Sequence, residues 1–313
     1  MSAALFGTDL FGARRPPPAS SVTAARFGIQ PFTVLNAQAG DWQERKRAWV
    51  ALGLKSEEGR DDALTFPRMR ETRPGRAKAG QIDTTLPATS IFDPVLAEML
   101  VRWYAPAAGQ VIDPFAGGSV RGIVSGALGR PYWGCDLRAE QVDANRAQAA
   151  AIPVPAPPVW VTGDARDALA GAPDADFMLT CPPYGDLERY SNDPADLSAM
   201  TWPDFLEAYR AIIAAAWARL RPDRFAAIVV GEIRCPRGLY RNFVGETIRA
   251  FTDAGAGYYN ELVLQTVIGS AAARVKRLFC ASRKNVKIHQ NVLVFVKGDP
   301  RRATAACGDV DPG

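Results

Sequence analysis

The chain has 313 residues, is 48% hydrophobic and carries a formal net charge of +4, which is enough to bury one large core with a smaller appendage. No apolar run approaches the roughly 20 residues that a bilayer requires, and Arg14, Arg15 and Pro16 to Pro18 stand where an apolar leader would be. A soluble, cytoplasmic protein is therefore expected. The five cysteines are scattered without a Cys-x-x-Cys pair and accompany a single histidine, so neither a disulfide framework nor a metal site is expected.

Residues 1–25 are rich in Ala, Ser, Pro and Arg without periodicity and predict a disordered tail. Residues 26–88 read as a basic N-terminal extension and linker. Within it Pro31 to Leu35 resembles a short strand, Asp41 caps a helix carrying Trp42, Trp49, Val50 and Leu52, and the polar, Gly/Pro-punctuated stretch 56–88 is a linker. From 89 to 298 short apolar runs alternate with helical periods, the pattern of a Rossmann-like α/β domain with a parallel sheet and helices on both faces. Seven strands are predicted, at 110–114, 132–136, 159–163, 176–181, 225–231, 259–267 and 291–297. Helices are expected from Asp93-Pro94 to Tyr104, Ser119 to Leu128, Ala139 to Ala150, from Thr201 onward, and from about Tyr240 to Ala254. The seventh strand follows the sixth without a crossover helix, which predicts an antiparallel hairpin at the sheet edge. Residues 299–313 are expected to be a disordered C-terminal tail.

Charge is uneven along this frame. Residues 1–80 hold 13 Lys/Arg against 8 Asp/Glu, and Arg274, Lys276, Arg277, Arg283, Lys284 and Lys287 occur in a stretch without acids between Glu261 and Asp299. Basic clusters flanking a near-neutral domain suit a polyanion, and the second is expected to be a loop that contacts phosphates; a merely solvated basic loop remains the alternative.

Two short motifs carry the chemistry. Asp113-Pro114-Phe115-Ala116-Gly117-Gly118-Ser119 follows the first apolar strand, where small residues let the backbone pass close to a ligand before a helix begins. This suits a nucleoside cofactor at the C-terminal edge of a parallel sheet. Thr180-Cys181-Pro182-Pro183-Tyr184 follows the fourth strand, where two prolines stiffen the chain and place an aromatic ring at the sheet edge for a planar substrate to stack on. A nicotinamide-dependent dehydrogenase would share the glycine turn and strand-end acids. The absence of Gly-x-Gly-x-x-Gly spacing, the Cys-Pro-Pro-Tyr turn and the terminal hairpin favour methyl transfer instead.

These residues resemble the class I S-adenosylmethionine-dependent methyltransferases, and among them the DNA N6-adenine and N4-cytosine methyltransferases. The resemblance covers about residues 83–298, and the whole chain further looks like DNA modification methylases of bacteriophages and prophages. It implies a seven-stranded methyltransferase sheet, S-adenosylmethionine as cofactor and duplex DNA with an extruded base as partner. Asp113 would accept from the cofactor's ammonium, directly or through water, with Phe115, Gly117 and Gly118 lining its approach. Asp136, 23 residues further on, would accept from both ribose hydroxyls. Asp164 would hold the adenine amino group, with helix capping as its competitor. The segment Thr89 to Pro94, including Thr89 and Phe92, resembles the family's other cofactor-contacting motif.

In the resembled family an acceptor side chain and a proline carbonyl hold the amino group while an aromatic residue stacks on the base. Those positions are Cys181, Pro182 and Tyr184, with Pro183 between. Two departures stand out. Ser119 replaces the usual last glycine, and Cys181 is a weaker acceptor than a carboxylate or amide. Its small size leans toward cytosine N4 over adenine N6, and a covalent thiolate attack on C6 of a pyrimidine is the competing chemistry. No long insertion follows the second motif, so substrate recognition is expected from Arg26 to Arg76, from Asp186 to Met200 with Arg189, Tyr190 and Asn192, or from the basic stretch Gly269 to Lys287. RNA base or protein amide methylation, and a catalytically inactive DNA-binding protein, remain alternatives.

Overall fold

The computed structural model describes residues 22–55, 92–185, 190–191, 193–266 and 271–310. The linker expected over 56–88, together with Thr89, Asp186, Arg189 and Asn192, lies outside the described residues. The chain runs through α1 (Val22–Phe27), β1 (Val34–Asn36), α2 (Gly40–Ala51), α3 (Pro94–Tyr104), β2 (Val111–Asp113), α4 (Val120–Ala127), β3 (Tyr132–Asp136), α5 (Ala139–Ala151) and β4 (Val159–Thr162). It continues through α6 (Ala165–Ala168), β5 (Ala175–Thr180), α7 (Trp202–Arg219), β6 (Leu220–Val230), α8 (Phe243–Asp253), β7 (Gly257–Gln265), α9 (Ala271–Ser282), β8 (His289–Lys297) and α10 (Pro300–Cys307).

The strands form one mixed sheet in the order β1-β7-β8-β6-β5-β2-β3-β4. Strands β2 to β6 are parallel, and β8 lies antiparallel between β6 and β7. This is a Rossmann-like α/β fold with the expected antiparallel edge. Alternation along the strands separates two cores: Phe177, Leu179, Phe225 and Val229 face one, and Met178, Ala226, Ile228 and Phe295 the other. Because helices cover both faces, the inner strands are apolar on both sides, which is why they read as continuous hydrophobic runs.

Four expectations need correction. The sheet has an eighth strand, because Val34, Leu35 and Asn36 pair in parallel with Val263, Leu264 and Gln265; the N-terminal extension thus continues the sheet, with Leu35 buried between exposed neighbours. Of the expected tail 1–25, residues 1–21 lie outside the described residues, and α1 begins at Val22. The expected tail 299–313 contains α10, whose Asp299 side chain accepts from the Arg301 and Arg302 amides and whose Ala303 is fully buried. Within the basic stretch between β7 and β8, Ala271–Ser282 forms the helix α9 rather than a loop. No helix among the described residues is long and apolar enough to cross a membrane.

Candidate active site

The parallel strands end at one sheet edge, and the two motifs emerge there from neighbours, since β2 pairs directly with β5. Asp113 is fully buried at the end of β2. Its Oδ1 accepts from Thr180 Oγ1 at 2.6 Å and from the Phe115 amide at 3.2 Å, and its Oδ2 from Arg121 Nε at 2.6 Å and Tyr132 Oη at 2.8 Å. Four donors fill the acceptor capacity of one carboxylate. In this arrangement its lone pairs are engaged by the scaffold, so a cofactor ammonium would reach it only by displacing or sharing one of these donors. Arg121 carries the arrangement onward, donating to the carbonyls of Phe115 and Ala116 at 2.7 and 2.8 Å while its guanidinium lies 4.6 Å over the Phe92 ring. Burial opposes the charge on Arg121, but the Asp113 carboxylate more than offsets it and holds the guanidinium protonated.

Gly117 occupies the left-handed region at φ 48°, and a Cβ there would project into open space. Its amide donates to Asp136 Oδ2 at 2.9 Å, while Asp136 Oδ1 accepts from the Arg138 amide at 2.9 Å. Each oxygen of Asp136 thus retains acceptor capacity beyond one backbone donor. Burial pushes the Asp136 carboxyl above its ordinary range, and the two amide donors oppose that shift. Gly118 is half-buried beside it.

Three residues on α5 that sequence reasoning missed secure this turn. Gln141 donates to Asn145 at 3.0 Å, Asn145 donates to the Gly117 carbonyl at 2.7 Å, and Gln148 accepts from Ser119 Oγ at 2.7 Å. Gln148 also exchanges hydrogen bonds with the Lys55 backbone. The hydroxyl of Ser119 therefore ties the turn through Gln148 to the N-terminal segment. Buried amides at 141, 145 and 148 on one helical face could have revealed the site. Asp164 caps α6: its carboxylate accepts from the Arg166 amide and pairs with the Arg166 guanidinium. That pairing is the leading cause that lowers its pKa.

At the second motif, Cys181 is half-buried with its sulfur 3.9 Å from Tyr184 Oη. Tyr184 accepts from Gln290 Nε2 at 3.0 Å and packs edge-on against Phe243. Burial first, and Cys181 second, push the Tyr184 phenol well above its ordinary range, so it stays neutral. Pro182 is buried and Pro183 half-buried. Phe115 stacks on Tyr209, which continues through Phe205 to Trp202 as an aromatic ladder behind the motif.

The basic cluster divides. Arg274, Lys276 and Arg277 lie on α9, Lys276 being exposed and Arg274 half-buried. Arg283 ends the helix with φ 53° and its guanidinium 5.3 Å over Phe279. Lys284 reaches toward Gly238, and Lys287 toward Gly231. Burial pushes the Lys287 amine down, opposed by Glu232. Lys287 is thus half-buried beside the end of β6.

No protein-family model and no curated protein matches the sequence. Solved structures do resemble it. TrmN of Thermus thermophilus aligns with 66% of this chain and 49% of its own, at 19% identity and TM-score 0.47; the alignment thus spans about half of TrmN. A magnesium protoporphyrin IX methyltransferase of Synechocystis with bound SAM aligns over 66% and 79% at 12% identity and TM-score 0.42. A TehB-like SAM-dependent methyltransferase of Corynebacterium glutamicum aligns over 64% and 86% at 16% identity and TM-score 0.41. These likenesses concern fold alone.

Proposed function

We propose that this chain transfers the methyl group of S-adenosylmethionine to the exocyclic amino group of a base in DNA, cytosine N4 or adenine N6. The observation that carries the reading is the 2.6 Å bond from Thr180 to Asp113. It holds the glycine turn and the Cys-Pro-Pro-Tyr turn side by side at the ends of adjacent strands, so that a donor in one and an acceptor in the other can meet.

The cofactor fits the residues present: the open space at the Gly117 Cβ position lets a ligand approach the backbone. Gly117 and Gly118 would line it, and the spare acceptor capacity of Asp136 suits ribose hydroxyls. When bound, S-adenosylmethionine supplies an electrophilic methyl on a sulfonium. The chain's own residues address the other reactant. An exocyclic amino group is conjugated with its ring and is a poor nucleophile until it pyramidalises, which acceptors aimed at its protons favour. The Pro182 carbonyl and the Cys181 sulfur are such acceptors in this motif, and the neutral Tyr184 ring offers a stacking face without a charge to desolvate.

Incubation with labelled S-adenosylmethionine and duplex DNA, single-stranded DNA or RNA, followed by nucleoside analysis, tests the reading. Label in N4-methylcytosine or N6-methyladenine from DNA is expected. Label confined to RNA, or to C5 of cytosine, would overturn it.

A further inference from the structure

Between β6 and α8, residues 233–241 form a short hydrogen-bonded hairpin next to the second motif. Arg234 bridges to Tyr240, the Arg241 amide donates to the Ile233 carbonyl and the Cys235 amide to the Leu239 carbonyl, both at 2.9 Å, and the Gly238 amide closes the tip onto Cys235 at 2.8 Å. Its base is anchored, because Glu232 accepts from the Phe243 and Val244 amides at 3.2 Å each. It also abuts the motif: a Cβ on Gly185 would lie 3.3 Å from Ile233 Cδ1.

The tip exposes adjacent large apolar side chains, Leu239 at 57% and Tyr240 at 51%. Its surroundings are cationic. The Arg234 guanidinium stacks 3.9 Å from the Tyr240 ring centre and donates to the Gly238 carbonyl at 2.8 Å. Arg237 is exposed in the turn, Lys284 reaches it from just beyond α9, and Arg241 lies 4.8 Å over Trp202. The Glu232 carboxylate at its base is engaged by the start of α8. A hydrogen-bonded apolar tip ringed by cations complements an opening in a polyanion, not a second apolar surface.

A duplex from which one base has been withdrawn presents such an opening, an unstacked gap between charged phosphates that inserted apolar or aromatic side chains can fill. We propose that this hairpin is the wedge that enters duplex DNA beside the reacting base, with Leu239 and Tyr240 in the stack and Arg234, Arg237 and Lys284 on the flanking phosphates. The inference rests on the DNA-methylation reading above. Arg234 now covers one face of the Tyr240 ring, and entry of that ring between base pairs releases the guanidinium to a flanking phosphate.

The test compares label transfer to unmethylated duplex DNA with transfer to the same DNA melted to single strands, for the wild type, L239A/Y240A and Y240F. Affinity for S-adenosylhomocysteine, measured by calorimetry, reports an intact fold. The duplex-to-single-strand activity ratio of the double variant should fall about tenfold or more, since a gap without its stacking partner recloses, while Y240F keeps the ratio within about twofold. A ratio that does not move, or equal losses on both substrates, would overturn the wedge. If the double variant loses cofactor affinity, Y240A alone decides by the same ratio. A wild type that labels neither form of DNA sinks the methylation reading and the wedge with it; a wild type active on both, with an unchanged variant ratio, sinks the wedge alone.

Discussion

Asp113 and Asp136 end neighbouring strands with the same carboxylate, yet their partners give them opposite tasks. Asp113 neutralises a buried guanidinium and accepts from four groups. Asp113→Ala should therefore cost about 3–5 kcal/mol of stability, the usual result of leaving a buried charge without its partner, read as a lowered midpoint in urea denaturation. Asp136 faces the turn with acceptor capacity to spare, so Asp136→Ala should weaken S-adenosylhomocysteine binding by about 1–3 kcal/mol in calorimetry. Its folded pKa is raised by burial, so the ionised form is the one the fold penalises. As pH falls through that pKa, protonation relieves the penalty and favours the fold, but it removes an acceptor and lowers cofactor affinity. The affinity should begin to fall above the ordinary aspartate value of about 3.9, and Asp136→Asn should abolish that dependence. At the second motif, Cys181→Ser keeps the size and supplies a better acceptor. Methyl transfer should persist, with no denaturation-resistant adduct on DNA carrying 5-fluorocytosine; abolished turnover with a trapped adduct would establish covalent chemistry. Tyr184→Ala should instead remove stacking worth about 1–3 kcal/mol.

At the scale of elements, the helix α9 shows how charge conceals periodicity. Val275, Leu278 and Phe279 recur at the i, i+3, i+4 spacing of one helical face. The interleaved Arg274, Lys276 and Arg277 make the same stretch read as a polar loop. As a helix it presents Lys276 on a regular surface, with Lys284 just beyond. Replacing Arg274, Lys276, Arg277 and Lys284 with Ala should weaken duplex binding and lower the slope of log affinity against log salt by about 0.9 for each phosphate no longer neutralised. An unchanged slope would make α9 a solvated surface. The glycine turn is a related case. Its sequence announces a close backbone approach, but the amides of α5 that hold it lie more than twenty residues away and bond to it only once the chain has folded.

For the whole molecule, the N-terminal segment is structurally part of the sheet domain. Glu98 of α3 is fully buried, yet it accepts from Arg45 at 2.7 Å, Arg102 at 3.1 Å and Trp49 Nε1 at 3.0 Å. Lys46 and Trp42 likewise bond Asp93, which caps α3. Trp49→Ala should cost about 3–5 kcal/mol by emptying a core position, and denaturation followed by tryptophan fluorescence and by circular dichroism should then show one shifted, coincident transition; separate transitions would mark the segment as an independent unit. The sequence alone determined the α/β class, the parallel strands and the two motifs, because these depend on local periodicity, strand-end position and turn chemistry. Only the tertiary structure decided that Asp113 is buried and saturated, that Asp164 caps a helix, that Val34–Asn36 joins the sheet and that the hairpin 233–241 stands beside Gly185. Each of these depends on which distant donor, strand or side chain arrives within bonding or packing distance, and a linear spacing does not encode that arrival.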